Sequence, residues 1–315
     1  MTTLQLAPLP GATPALAPLF QHVVLAIDFG SASLAAARWA TTNVARRAHA
    51  ILSHVIPLRE RVGDAISAVE PGHEEFTERR PTLLGGLEGF AATLELASAR
   101  AVLRIGQPSR CLSALANDGA ASLLVLGRRS DANRKRVGEP NVIERLARRV
   151  TTSVLVVPEG VSQPPTHVVA AVDDSAFAPA VLGAARWLAR LHACPLTVLH
   201  VLQPAAGAYD RVMRSGRRAL PDGRSAARTP SLPALRTMTR RLVELVAADA
   251  SRDDVRFEVA VGDPTSEIVG TALGRGAPLV VVGQRGADGA PAGSLGSVTR
   301  ELLTRAPLAV VSVGV

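Results

Sequence analysis

Short apolar runs rich in β-branched residues alternate along this chain with longer stretches whose apolar residues recur at helical spacing. In the second half the short runs fall at 168–172, 196–201, 255–261, 279–282 and 309–313. Between them lie AFAPAVLGAARWLARLH, LPALRTMTRRLVELVAADA, PTSEIVGTALGRG and GSVTRELLTRA. Strands that are apolar throughout and separated by helices predict a parallel sheet covered on both faces. The expected fold class is α/β: two tandem doubly wound domains, each with a five-stranded parallel sheet flanked by helices.

The pattern occurs twice because the sequence does. HVVLAIDFGSASLAAARWA, from His22, recurs as HVVAAVDDSAFAPAVLGAARWLA, from His167. ILSHVIP is answered by TVLHVLQP, VLRIGQPS by FEVAVGDPTSEIV, DGAASLLVLGRRS by GRGAPLVVVGQRG, and RLARRVTTSVLVVP by ELLTRAPLAVVSVGV. Asp28 and Asp173 stand 145 residues apart, and His54 and His200 146, whereas Gly127 and Gly283 stand 156 apart. The second copy therefore carries about ten extra residues before Gly262. They are assigned to the Arg- and Pro-rich stretch 205–233, expected to be a long surface loop. The domain expectation is a flexible tail over 1–20, a first domain over 21–158, a linker over 159–166 and a second domain over 167–315.

Composition narrows the class. The chain has 315 residues, 47% of them apolar and 20% charged, as in globular domains with proper cores. No apolar run reaches the ~18 residues of a membrane span. The opening MTTLQLAPLPGATPALAPLF lacks a basic start and is split by prolines, so it does not read as a signal peptide. Two cysteines, Cys111 and Cys194, occupy unmatched places, which argues against a disulfide framework and for the cytoplasm. The net charge of +8 invites a nucleic-acid reading. With one Tyr and two Trp there is little for bases to stack on, and nucleic acid is set aside as a partner.

One segment breaks the regular pattern. VVVGQRGADGAPAGSLGSVTRELL places Gly283, Gly286, Gly289, Gly293 and Gly296 between an apolar strand and a helix. Glycines in such number require close backbone approach or unusual dihedrals. Ligands of open α/β sheets bind beyond the carboxyl ends of strands, where strand order reverses. If strands one and four are neighbours, Asp173 and the glycine segment share one crevice. Gly283 and Gly286 would turn their N–H groups inward, and Gly296–Ser297 would open a helix whose first-turn amides suit phosphate oxygens. No Walker lysine is present. The residues alone leave open a surface loop followed by a Ser N-cap at Ser297.

Gly283-x-x-Gly286, nine residues, then Gly296-Ser297 resembles the nucleotide-binding signature of the universal stress protein family. VVAAVDDS, LHVLQP, GDPTSEIV and APLAVVSV resemble its other landmarks, so nearly all of both copies is similar to a tandem member. The resemblance implies an ATP-binding stress-response protein, with Mg²⁺ accompanying the phosphates. It implies that Asp173 and Val201 grip adenine, together with the strand end Ala171 and Val172. It assigns ribose and phosphate to Gly283, Gln284, Arg285, Gly286, Gly296, Ser297 and Val298. It also implies that the two copies pair through 153–157 and 309–313, with a homodimer and a protein partner beyond that.

The first copy departs from the signature. Asp28, Val55 and Gly127 match, but Ser130 replaces the second glycine and Pro140-Asn141 replaces the Gly-Ser pair. Proline removes an N–H donor there, so the first site is expected to be weakened or lost, even with Arg128, Arg129, Arg134 and Arg136 crowding it. Other constellations read as structural. GHEEF at 72–76 has no counterpart in the second copy; His54 and His200 read as packing residues, and Trp39 and Trp187 as core. Asp263-Pro264 reads as a helix start. No catalytic or metal-ligating set stands out, so any hydrolysis is expected to be slow. The rivals are a scaffold that binds no nucleotide and a true ATPase or adenylating enzyme.

Overall fold

The computed structural model describes residues 4–5, 19–57, 73–118, 121–129, 142–203, 240, 255–286 and 295–314. The Arg-rich stretch 205–233, nearly all of the predicted helix at 232–250, Ser130, Arg134, Arg136, Pro140-Asn141, Gly289 and Gly293 lie outside them.

In the first half, strands β2 (His22–Ala26), β3 (His49–Pro57), β4 (Ser98–Gly106), β5 (Leu123–Arg128) and β6 (Ser153–Pro158) alternate with helices. The helices are α1 (Ser31–Asn43), α2 (His73–Ala91), α3 (Pro108–Asn117) and α4 (Val142–Ala147). In the second half, β7 (Val168–Ala171), β8 (Leu196–Leu202), β9 (Val255–Val261), β10 (Leu279–Gly283) and β11 (Ala309–Val313) do the same. Their helices are α5 (Ala178–Leu191), α6 (Pro264–Gly274) and α7 (Ser297–Arg305). A two-residue strand, β1 (Leu4–Gln5), lies antiparallel on the outer edge of β9.

The strand order is β1-β9-β8-β7-β10-β11-β6-β5-β2-β3-β4. Each half is thus a five-stranded parallel sheet in the order 3-2-1-4-5, and the halves join by their last strands. Those strands run antiparallel, with Val310 opposite Val156, Val311 opposite Leu155 and Ser312 opposite Val154. This is the contact that the resemblance implied. The first and fourth strands of the second half are neighbours, Leu279 pairing with Val168 and Val281 with Ala170. Strand order therefore reverses between β7 and β10, where the crevice was expected.

Alternation along the strands builds a core on each face of the sheet. Val168, Ala170, Leu279 and Val281 face α5, packing with Val181 and Leu188. Val169, Val280 and Val282 face α6 and α7, packing with Ile268, Ala272, Leu302 and Leu303. Trp39 is buried and its indole N–H donates to the Gln163 carbonyl at 2.9 Å. Trp187, read as core, is only partly buried; its ring meets Phe20 edge-on at 5.9 Å. His54 and His200 play matched parts: each Nδ1 lies 2.8 Å from a carbonyl at the end of the first strand, Ile27 and Val172 respectively. Asp263 accepts from the Ser266 amide at 2.9 Å with Pro264 at the first helical position, so GDP is a helix cap. Among the described residues no helix is long and apolar enough to cross a membrane, and no group of three metal-ligating side chains forms.

The joint between the halves also rests on His192, whose Nε2 donates to the Asn43 carbonyl at 2.7 Å. Burial pushes this imidazole below its ordinary pKa; the Asn43 bond pulls it up and Arg46 adds to the depression. A histidine whose folded pKa is lowered favours the fold when neutral. Its contribution is complete above the unfolded value of about 6.5 and is lost as pH falls from there towards the depressed folded value. Urea unfolding at pH 7.5 and 5.5 is expected to show a smaller acid-side loss in His192→Gln than in the wild type. Equal losses would remove His192 from the account.

Candidate functional site

The end of β7 and the end of β10 converge on one carboxylate. Val172 continues past β7, its amide donating to the Leu199 carbonyl at 2.9 Å, and is buried. Asp173 follows, and its Oδ1 accepts from the Ser175 amide at 3.2 Å, a local turn that holds the side chain at the strand end. Its other oxygen faces Gly286: a Cβ added to Gly286 would stand 2.8 Å from Asp173 Oδ2. A Cβ added to Gly283 would stand 3.0 Å from the Phe177 Cβ and 3.1 Å from the Arg285 carbonyl oxygen. Close approach, not unusual dihedrals, accounts for these two glycines. Neither has a positive φ.

Gly296 closes the circuit from the far side. Its amide donates to the Gln284 carbonyl at 2.9 Å, which brings the start of α7 onto the turn Gly283–Gly286. Gly296 itself is the N-cap, with φ −58° and ψ 145°, and a Cβ there would meet only ordinary contacts from 3.5 Å outward. Ser297 therefore stands at the first helical position, and the cap is Gly296, not the serine. The amides of Ser297, Val298 and Thr299 have no intrahelical acceptor and carry the positive end of the helix dipole. Thr299, which the sequence reading passed over, donates its hydroxyl to the Gly283 carbonyl at 2.6 Å and ties the first turn of α7 to the end of β10. A small polar residue in the first turn of a helix, beside a buried face, was the available signal.

The remaining assigned residues divide. Ala171, Val201 and Val298 are partly buried and pack on the α6–α7 face, beside Val282 and Leu295. Arg285 is partly exposed on the turn. Gln284 turns away: it is buried, its amide nitrogen donates to the Thr152 carbonyl of the first half at 2.8 Å, and its main-chain N–H donates to Val313 at 3.0 Å.

The first half presents the same strand ends differently furnished. Asp28 Oδ1 accepts from the Ser33 hydroxyl at 2.5 Å and the Gly30 amide at 2.9 Å, and Oδ2 lies 3.6 Å from Arg129. Burial pushes this carboxyl up, but the Ser33 and Gly30 bonds and the Arg129 charge outweigh it and hold it below the ordinary value. Phe29 adopts φ +60°, a left-handed conformation uncommon for a bulky residue. Its ring sits 5.0 Å from that of His54. Gly127 is squeezed: a Cβ there would lie 2.3 Å from the Ala32 carbonyl oxygen. Val55 is partly buried on the face that Val201 occupies in the second half.

The family model for the universal stress protein family matches residues 19–158 and again 165–314. Among solved structures the chain is similar to a universal stress protein from Archaeoglobus fulgidus DSM 4304, 16% identical with a TM-score of 0.66 over 93% of this chain and 96% of that one. It is also similar to a functionally unknown protein, PA1789, from Pseudomonas aeruginosa PAO1, 13% identical with a TM-score of 0.57 over 93% and 92% of the two chains. At these identities the likeness is one of fold. No curated protein matches the sequence.

Proposed function

This chain belongs to the universal stress protein family through both of its halves, and from that premise we propose that it is an ATP-binding regulator holding nucleotide in the second half. The observation that carries the reading is the meeting of Asp173, the turn Gly283–Gly286 and the start of α7 at the ends of neighbouring strands. Asp173 and Val201 take the adenine. The turn Gly283–Gly286 and the start of α7, Gly296 to Val298, take ribose and phosphates; the Gln284 main chain, hydrogen-bonded to Val313 and Gly296, shapes the turn, and the amides of Ser297 and Val298 face the anion. Such a cradle needs no side-chain cation, because amides at a helix start already suit an anion. The donor set fits the group: small residues where the main chain comes close, and first-turn amides on the same side.

In the first half Asp28 is already engaged by Ser33, Gly30 and Arg129. A ligand there would have to displace a guanidinium from the carboxylate it is to use. With Ser130 and Pro140-Asn141 standing where the second half has Gly286 and Gly296-Ser297, we take one site per chain to be occupied, with the first half as its structural partner. ATP, carrying Mg²⁺ on its phosphates, is read out in the cytoplasm by a protein partner; turnover is slow, since among the described residues the one carboxylate assigned to the site, Asp173, is given to the adenine.

Native mass spectrometry of the purified protein, followed by calorimetry with ATP and Mg²⁺, tests this. The expected stoichiometry is one nucleotide per chain. A protein that arrives empty and takes up no ATP is the scaffold instead, and two per chain would overturn the asymmetry.

A further inference from the structure

The Arg128 side chain crosses the joint from the first half into the second. Its Nη1 donates to the Thr304 carbonyl at 2.5 Å, and its Nη2 donates to the Ala306 carbonyl. These carbonyls close the carboxyl end of α7, where Ala306 is the C-cap. We infer that Arg128 of the first half is a positioning residue for the nucleotide cradle of the second, clamping α7 from behind so that its amino end sits against Gly283–Gly286. The inference rests on the nucleotide reading above for its consequence, but not for its geometry.

Three observations carry it. First, the residue is placed by the repeat. Arg128 follows Gly127 as Gln284 follows Gly283, and both side chains cross the joint, Gln284 reaching the Thr152 carbonyl at 2.8 Å. Each half thus holds the other's last helix-to-strand connection, but only the hold on the second half is charged. Second, the chemistry suits the place. The last carbonyls of a helix lack intrahelical donors, and a guanidinium offers paired, permanently charged donors. A cation there offsets the negative end of the dipole and leaves the amino end, about 13 Å away, more attractive to an anion. Third, α7 has further ties along its length. Thr299 fixes its first turn to Gly283, Glu301 accepts from Thr265 at 3.1 Å, and Arg300 lies 3.8 Å from Glu144 of the first half. A helix tied in this way moves as a rod, so a shift at its carboxyl end is felt at Ser297.

Arg128 thus serves the second half even though the first half's own glycine signature is broken. The test uses the full chain carrying Arg128→Met, which keeps the stem and removes the donors, and Arg128→Lys, which keeps the charge. His192→Gln, which loosens the joint on the α1–α5 side, is the control. Calorimetry is expected to show ATP binding weakened roughly tenfold in the Met variant, within the range of coupling energies between linked sites, and part of the loss recovered in the Lys variant. Amide chemical shifts at Gly296–Thr299, read without nucleotide, are expected to move in the Met variant and to stay in His192→Gln. Wild-type affinity in Arg128→Met, or an equal loss in His192→Gln, overturns the clamp. If the wild type binds no ATP, the nucleotide reading falls and the amide shifts alone decide: unmoved shifts at 296–299 end the inference, and moved ones sustain the mechanical link.

Discussion

Gly286→Val is expected to weaken ATP binding by the second half about a hundredfold while leaving the chain folded. The added Cβ would stand 2.8 Å from Asp173 Oδ2, and the branched methyls would reach further. The obstructed atom is the far end of a side chain on a partly exposed turn, so it can swing aside without disturbing the strands. The fold escapes; the carboxylate does not stay where it is needed. A valine also fills the space between the ends of β7 and β10, where the nucleotide would enter. Loss of the proposed adenine contact together with steric exclusion should cost about 3 kcal/mol, roughly a hundredfold in Kd. Calorimetry gives the affinity and far-UV circular dichroism the fold. A valine variant that binds ATP like the wild type would show that nucleotide, if bound at all, lies elsewhere.

The architecture was legible because it was written twice. Matched landmarks located the halves, and the change from a 145-residue to a 156-residue offset placed the insertion before Gly262. The apolar runs at 168–172 and 279–282 gave strands buried on both faces, as they must be in a covered parallel sheet. The neighbourhood of Asp173 and the glycine turn followed from one rule about strand order, which the pairing of β7 with β10 bears out. Side-chain direction was less accessible. Gln284 reads as part of the phosphate turn, yet it points into the joint, because the turn leaves β10 where the second half's last strand meets the first half. Nothing local in GQRG marks that. Ser297 looks like a cap because serine favours that position, but the cap falls one residue earlier, on Gly296, which is held by Gln284. Trp187 stands in α5 at the position that Trp39 holds in α1, but it meets Phe20 edge-on at 5.9 Å and stays partly open. In each case tertiary placement overrode a residue's ordinary preference.

Gly127 is the position where resemblance and packing compete most directly, and Gly127→Ala is expected to settle it in favour of packing. The resemblance makes it a phosphate-loop glycine, so its replacement would matter for ligand alone. The structure sets β5 so close to the start of α1 that a Cβ would lie 2.3 Å from the Ala32 carbonyl oxygen, 2.5 Å from its carbon and 2.6 Å from the Ser33 nitrogen. All three are main-chain atoms, and none can rotate away. Relief requires α1 to lift from the sheet, and α1 carries the buried Ala36, Ala37, Trp39 and Ala40 into the core. Forcing even one methyl into such a contact should cost about 2–3 kcal/mol. At the matched position Gly283→Ala meets a Phe177 side-chain carbon at 3.0 Å and one carbonyl oxygen at 3.1 Å, a milder conflict that a small shift relieves. Urea unfolding without nucleotide should therefore show a clear loss for Gly127→Ala and a distinctly smaller one for Gly283→Ala. The reverse order, or an unaffected Gly127→Ala, would mean that α1 does not bear on β5 as described and that the first half kept this glycine for a ligand.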